Sequence, residues 1–239
     1  DIIGVTSGAS TVAVFCILIL HWSGNAVSIG AILGGMLVAF LIYRLSQGIG
    51  SNNGRMILIG LGFQAFLQAV ISYIILRAAQ YDVANALRWL SGSLNNVTIE
   101  EAVRIVIVVI FMGSSLVYLS RRLMLLQLGE DFATTLGLNI QRTKLLLIVN
   151  AIILSAVATS ISGPIAAVSF LSGPIITRIC KGNQANMLQA GLMGAILVLA
   201  GDLVAQNLLP ARYPVGIITG ILGAPYLLLM LFRMNHKGG

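Results

Sequence analysis

Long apolar stretches separated by short polar ones dominate the chain. Eight stand out: Val5–His21, Ala26–Tyr43, Met56–Leu76, Ala102–Leu119, Leu145–Ser160, Ile165–Ile179, Met187–Leu208 and Val215–Phe232. Each approaches the roughly 20 residues that carry an α-helix across a hydrocarbon core. Their apolar residues run continuously instead of alternating with polar ones, which excludes the strands of a membrane β-barrel. The sixth opens at Gly163-Pro164 and is short for a span. The longest polar stretches, Arg77–Glu101 and Ser120–Lys144, leave no room for a soluble domain. The pattern predicts an all-α, polytopic helical membrane protein with about eight spans, forming one transmembrane domain over residues 1–239.

Composition agrees. Of 239 residues, 58% are hydrophobic and 9% charged, against roughly 25% charged in a soluble domain. So few charges cannot clothe a soluble surface. The formal net charge of +7 would suggest nucleic acid in a soluble protein, but cytoplasmic loops of membrane proteins collect Lys and Arg. With alternating loops and a cytoplasmic N-terminus, the inner side holds Arg44, Arg55, Arg121, Arg122, Arg142, Lys144, Arg178, Lys181, Arg233 and Lys237. The outer side holds Arg77, Arg88, Arg104 and Arg212. The asymmetry fixes the expected sidedness, with both termini cytoplasmic. No basic segment precedes the first apolar run, so no cleavable signal peptide is expected. Cys16 and Cys180 lie far apart and read as small packing residues, not as a disulfide.

Glycine and proline refine the picture. Small-xxx-small pairs lie inside spans at Gly4/Gly8, Gly30/Gly34 and Gly216/Gly220. Lipid supplies no hydrophobic drive for helix association, so close backbone approach must provide the packing. All five prolines (Pro164, Pro174, Pro210, Pro214 and Pro225) fall in the last third. Proline removes a backbone donor and breaks or kinks a helix. Broken helices persist in a bilayer only where protein or a water-filled cavity covers the freed groups. Gly163, Pro164, Gly173 and Pro174 are therefore candidates for an irregular, pathway-lining segment.

The catalytic signatures are missing. None of the three lysines sits in a phosphate-loop context. His21 and His236 have no second ligand at metal spacing, and no GxSxG elbow occurs. The Gly60-Leu61-Gly62 run lies inside a span and follows no strand, so it is no dinucleotide fingerprint. Asp202 is the one acid deep in an apolar run. It is a functional candidate on that ground, although Pro210 nearby also suits a cap at the span end. An ion-coupled carrier usually needs more buried ionisable groups. The driving energy for transport is therefore expected from another subunit.

The stretch Arg121–Lys144 is unusual for a linker. Basic residues flank it, and its centre, Leu128-Gly129-Glu130-Asp131-Phe132-Ala133-Thr134-Thr135-Leu136-Gly137, reads as a short amphipathic helix between glycines. Glu130 and Asp131 suit a first turn, and Phe132 and Leu136 share a face. Such a helix must rest on lipid, on its own spans or on a partner.

At this loop the chain resembles the FecCD-type permeases, the membrane subunits of ABC importers for iron-siderophores, haem and cobalamin. The family's L-G-E-x-x-A-x-x-L-G loop is matched by Leu128, Gly129, Glu130, Ala133, Leu136 and Gly137. Its opening block is matched by Ile3-Gly4-Val5-Thr6-Ser7-Gly8-Ala9, its W-L-x-G-S block by Trp89-Leu90-Ser91-Gly92-Ser93, and its closing block by Pro214 through Pro225. There are departures. Ala166, Ala167 and Ser169 replace residues of the family's G-F-V-G-L run, Ile175 stands where a histidine is usual, and Gln206 replaces the arginine of an Asp-x-x-x-Arg pair begun by Asp202. Members usually have ten spans. The resemblance places this chain's start at the third, so the first two are expected to lie outside it.

The resemblance implies a permease of an ATP-driven importer, with ferric siderophore the favoured cargo and haem or cobalamin the alternatives. It implies a homodimer or a pairing with a related permease, the pathway lying between the two subunits. Two ATPase subunits would dock in the cytoplasm, holding ATP and Mg, while this chain binds no cofactor or metal and carries no catalytic residue. Leu128, Gly129, Glu130, Asp131, Ala133, Leu136 and Gly137 would form the ATPase-coupling helix. An extracytoplasmic substrate-binding protein would meet Arg77, Arg88 and Arg212. The setting implied is a bacterial inner or plasma membrane, with lipid and not nucleic acid as surroundings. Outside this resemblance, an ion-coupled secondary carrier remains the rival, and a membrane-embedded enzyme lacks any paired acid, base or metal constellation.

Overall fold

The computed structural model describes residues 4–46, 53–95, 97–180, 187–208 and 213–235. These are helical and loop residues throughout, with no strand among them. Ten helices follow in order: α1 (Val5–Leu18), α2 (Asn25–Ser46), α3 (Asn53–Arg77), α4 (Gln80–Leu90), α5 (Ile99–Gln127), α6 (Glu130–Thr135), α7 (Ile140–Ser162), α8 (Val168–Ile179), α9 (Met187–Asn207) and α10 (Val215–Asn235). Each of the eight apolar stretches is one helix. Five of these (α2, α3, α5, α7 and α9) are long and apolar enough to cross a membrane. The other three (α1, α8 and the apolar part of α10, Val215–Tyr226) are shorter.

The boundaries differ from the sequence expectation in instructive ways. α1 stops at Leu18 because the chain turns left-handed at His21 (φ 53°). α5 starts before Ala102 because Thr98 and Glu101 form a capping box: the Thr98 amide donates to the Glu101 carboxylate at 2.9 Å, and the Glu101 amide donates to Thr98 Oγ1 at 3.3 Å. α4 occupies a stretch read as polar linker. The irregular segment is also narrower than expected. Only residues 163–167 leave the helix, with Gly163 (φ 70°) and Ala167 (φ 65°) both left-handed. Gly173 and Pro174 sit inside α8. Pro174 is the seventh residue of that helix, so one backbone bond to the preceding turn is missing without ending it, as membrane helices tolerate.

The described residues form two compact units. The first comprises residues 4–46, 53–90, 97–112 and 148–164. Its centre is the α1–α2 pair. A Cβ on Gly8 would lie 2.8 Å from the Gly34 carbonyl oxygen, and one on Gly34 equally close to the Gly8 oxygen. Hydrogen at these positions is what lets the two backbones touch. Ala9, Ala13, Cys16, Val27 and Ala31 fill the seam. α3 closes one side through Leu67, Ile71 and Ile74 against Val14, Leu18, Val38 and Ile42. α4 is held by Ala86, fully buried among Val14, Leu18 and Ile71. The later part of α7 packs Ile152 and Ala156 on Val5 and Ala39, and the Ser28 hydroxyl donates to the Ser160 carbonyl at 2.9 Å.

The second unit comprises residues 91–95, 113–147, 165–180, 187–208 and 213–235. α8, α9 and α10 pack through small residues. Gly201 sits against Val215 and Thr219, and Gly194 against Val168 and Ser172. Gly223 lies so close to Ala167 and Leu171 that a side chain there would collide with the Ala167 methyl. The 91–95 segment joins this group, since the Gly216 amide donates to the Gly92 carbonyl at 3.1 Å.

Candidate functional site

The stretch from the end of α5 to the start of α7 is a knuckle closed by local hydrogen bonds. α5 closes with the amides of Leu128 and Gly129 donating back to Leu125 and Leu126, each at 3.2 Å. Gly129 (φ 114°, ψ 149°) then redirects the chain with a conformation glycine adopts cheaply. α6 follows for six residues. It ends in a Schellman motif: the Leu138 amide donates to the Ala133 carbonyl at 3.0 Å and the Gly137 amide to Thr134 at 2.9 Å, with Gly137 left-handed at φ 79°. Asn139 then caps α7, its side-chain oxygen accepting from the Arg142 amide at 3.1 Å.

Within this frame α6 has two different faces. Ala133 is fully buried. Phe132 is 69% exposed and Leu136 64%, and Leu128 beside them is exposed too. Large apolar side chains held outward on a capped helix form a surface that another apolar surface can cover. Glu130 and Asp131 supply the first turn of α6. Arg121 and Arg122 precede the knuckle in α5, and Arg142 and Lys144 follow it in α7.

The other predicted residues are more scattered. Arg77 ends α3 with its guanidinium 5.2 Å from the Tyr73 ring centroid. Arg88 is exposed in the last turn of α4. Arg212 lies outside the described residues. Gly163 and Pro164 form the break after α7. Gly173 and Pro174 are helical in α8, with open space at Gly173. The residues expected to mark one irregular pathway segment are thus split between a turn and a helix. Both cysteines are free, Cys16 buried and Cys180 exposed. No group of three potential metal ligands occurs among the described residues.

Sequence reasoning missed one arrangement. Gln206 Nε2 donates to Asp202 Oδ2 at 2.7 Å and lies 3.2 Å from Asn95 Oδ1, so α9 is joined to the 91–95 segment. The other Asp202 oxygen is buried without a partner among the described residues. The i, i+4 spacing of Asp202 and Gln206 was the available signal; Asn95 had none.

The FecCD transport family matches this chain over residues 1–233. The chain belongs to that family. Its relatives include the ferric enterobactin transport system permease protein FepG of Escherichia coli (strain K12), 33% identical over 238 residues, with 99% of this chain and 72% of FepG covered. The iron(3+)-hydroxamate import system permease protein FhuG of Bacillus subtilis (strain 168) is 28% identical over 244 residues, with 98% and 73% covered. A solved metal-chelate type ABC transporter in an inward-facing conformation superposes with a TM-score of 0.87 at 27% identity, covering 97% of this chain and 76% of that one. This FecCD chain is a multi-pass membrane permease. Its all-helical build, its eight apolar helices and the order of its sequence blocks agree with that membership.

Proposed function

We propose that this permease is the transmembrane subunit of an ATP-driven importer for ferric siderophores. The observation that carries the reading is the knuckle around α6: a short helix, bounded by glycines and closed by a Schellman motif, that presents Phe132 and Leu136 outward in a FecCD chain. An ATPase subunit would cover that face, and its closure on ATP and Mg would move a stiff lever instead of a slack loop. Gly129 and Gly137 set the lever's two ends, and Ala133 anchors it. The chain itself contributes no nucleotide site and no covalent step. A binding protein would dock at the opposite face, where Arg77, Arg88 and Arg212 are the candidate cations; exposed pairs of this type orient a partner more than they tighten it. A second permease chain would complete the pathway. The charge distribution supports cytoplasmic termini in a bacterial inner or plasma membrane.

The cargo assignment rests on the iron-siderophore systems among the relatives, FepG and FhuG. Proteoliposomes carrying the permease with its ATPase and binding protein test it. Radioiron delivered as a ferric siderophore should accumulate, and unlabelled haem or cobalamin in excess should leave the rate unchanged. Strong competition by either would reassign the cargo.

A further inference from the structure

Three helices carry the same aromatic–arginine pair. Arg44 lies over the ring of Phe40 at 6.0 Å, Arg77 over Tyr73 at 5.2 Å and Arg122 over Tyr118 at 5.4 Å. In each case the arginine follows the aromatic residue by four positions, one helical turn. An aromatic ring with a cation above it is the amphipathic unit that settles at a membrane–water interface. The α5 example differs from the others in three respects.

First, α5 is too long for its membrane. Its 29 residues extend about 43 Å, against a hydrocarbon core of roughly 30 Å. Charges bracket the uncharged run 105–120, with Arg104 at one end and Arg121 at the other. That uncharged run is about 24 Å long, shorter than the core, so Arg121 and Arg122 stand at its edge. Second, two arginines are adjacent at that boundary. Third, the Arg122 guanidinium also donates to Tyr118 Oη at 3.4 Å, and Tyr118 is 68% exposed. A guanidinium carries five N–H donors, and a single phenol cannot satisfy them. The two ion pairs among the described residues are His21–Asp82 and Arg104–Glu100. Neither involves Arg121 or Arg122. At headgroup depth the anionic acceptor with suitable geometry is a phosphate, which arginine binds in a fork.

We propose that Tyr118, Arg121 and Arg122 at the C-terminal end of α5 form a binding site for the phosphate of an anionic lipid headgroup. Tyr118 fixes the Arg122 plane at the interface, and Arg121 adds the second charge. The inference rests on the membrane setting and not on ATP-driven import, so the two can fail separately.

The test is native mass spectrometry of the purified permease titrated with phosphatidylglycerol and with phosphatidylcholine of the same acyl chains. The wild type should retain phosphatidylglycerol in excess. R121Q/R122Q should lose that excess, by roughly fivefold for each arginine, with phosphatidylcholine retention unchanged. R121K/R122K keeps the charge but loses the fork and should retain an intermediate excess, which separates charge from misfolding. Inorganic phosphate at millimolar levels should not displace the lipid; displacement would mean a free-phosphate site and overturn the proposal. No headgroup preference in the wild type would overturn it, as would equal preference in R121Q/R122Q. So would a matching loss in R121K/R122K. If R121Q/R122Q instead releases the ATPase subunit in purely zwitterionic nanodiscs, these arginines belong to a protein interface and the lipid assignment is wrong.

Discussion

Gly8 and Gly34 meet where a single added carbon would press on the opposite backbone oxygen at 2.8 Å. Backbone cannot swing aside as a side chain can, so Gly34→Ala should destabilise the chain by about 1–3 kcal/mol. Gly113→Ala is the control. Nothing lies within 4 Å of a Cβ there, and replacing a mid-helix glycine should gain roughly 0.5–1 kcal/mol. Thermal unfolding in one detergent compares the two; equal shifts would remove the close-packing account. Gln206 gives a second residue-scale test. Its amide is the donor to Asp202 and the link to Asn95. Gln206→Ala should leave that carboxylate unmatched and cost about 1–3 kcal/mol, readable in the same assay; an unchanged midpoint would show the link to be idle. The glycine pair was legible from its four-residue spacing with Gly4 and Gly30. The Asn95 contact was not, since it joins residues 111 positions apart.

Among the elements, α6 carries the functional argument. Its apolar pair and its flanking glycines were plain in the sequence, because the turn residues that bound a six-residue helix are local to it. Gly137 is left-handed, where an L-residue costs roughly 1–2 kcal/mol. Gly137→Ala should loosen the end of α6, seen as several-fold faster amide exchange at Leu136–Leu138 with α7 unaffected; unchanged exchange would contradict the capping account. Phe132→Asp and Leu136→Asp should preserve insertion into the membrane and lower ATP-dependent uptake roughly 30-fold or more, as expected when a buried anchor of about 2 kcal/mol is lost. Wild-type uptake in both would remove α6 from its role. Other elements were harder to read. α4 is amphipathic and lies in a stretch with many polar residues, and it is fixed through the buried Ala86 with Trp89 and Leu90 packed beside it. Pro174 signals a break, yet α8 continues through it because a membrane helix can forgo one bond where its surroundings protect the backbone. The capping box at Thr98 and Glu101 was present as a T-x-x-E signature, but the apolar run beginning at Ala102 masked the true start.

At the scale of the whole chain, scarcity of charge is the organising fact. It yields eight apolar helices, and it leaves Asp202 as the one acid deep in a span. The number and order of the apolar helices were readable because continuous apolar runs admit no other solution in lipid. The division into two units depends on contacts between distant segments, which no local pattern encodes. The same scarcity supports the central claim, that the energy for transport comes from an ATPase partner and not from an ion gradient through this chain. The most direct measurement is siderophore uptake into proteoliposomes containing the permease, its ATPase and its binding protein, with either ATP enclosed or a proton or sodium gradient imposed. Uptake should require ATP and hydrolysis and should be indifferent to the gradients. Uptake driven by a gradient without ATP would contradict the account.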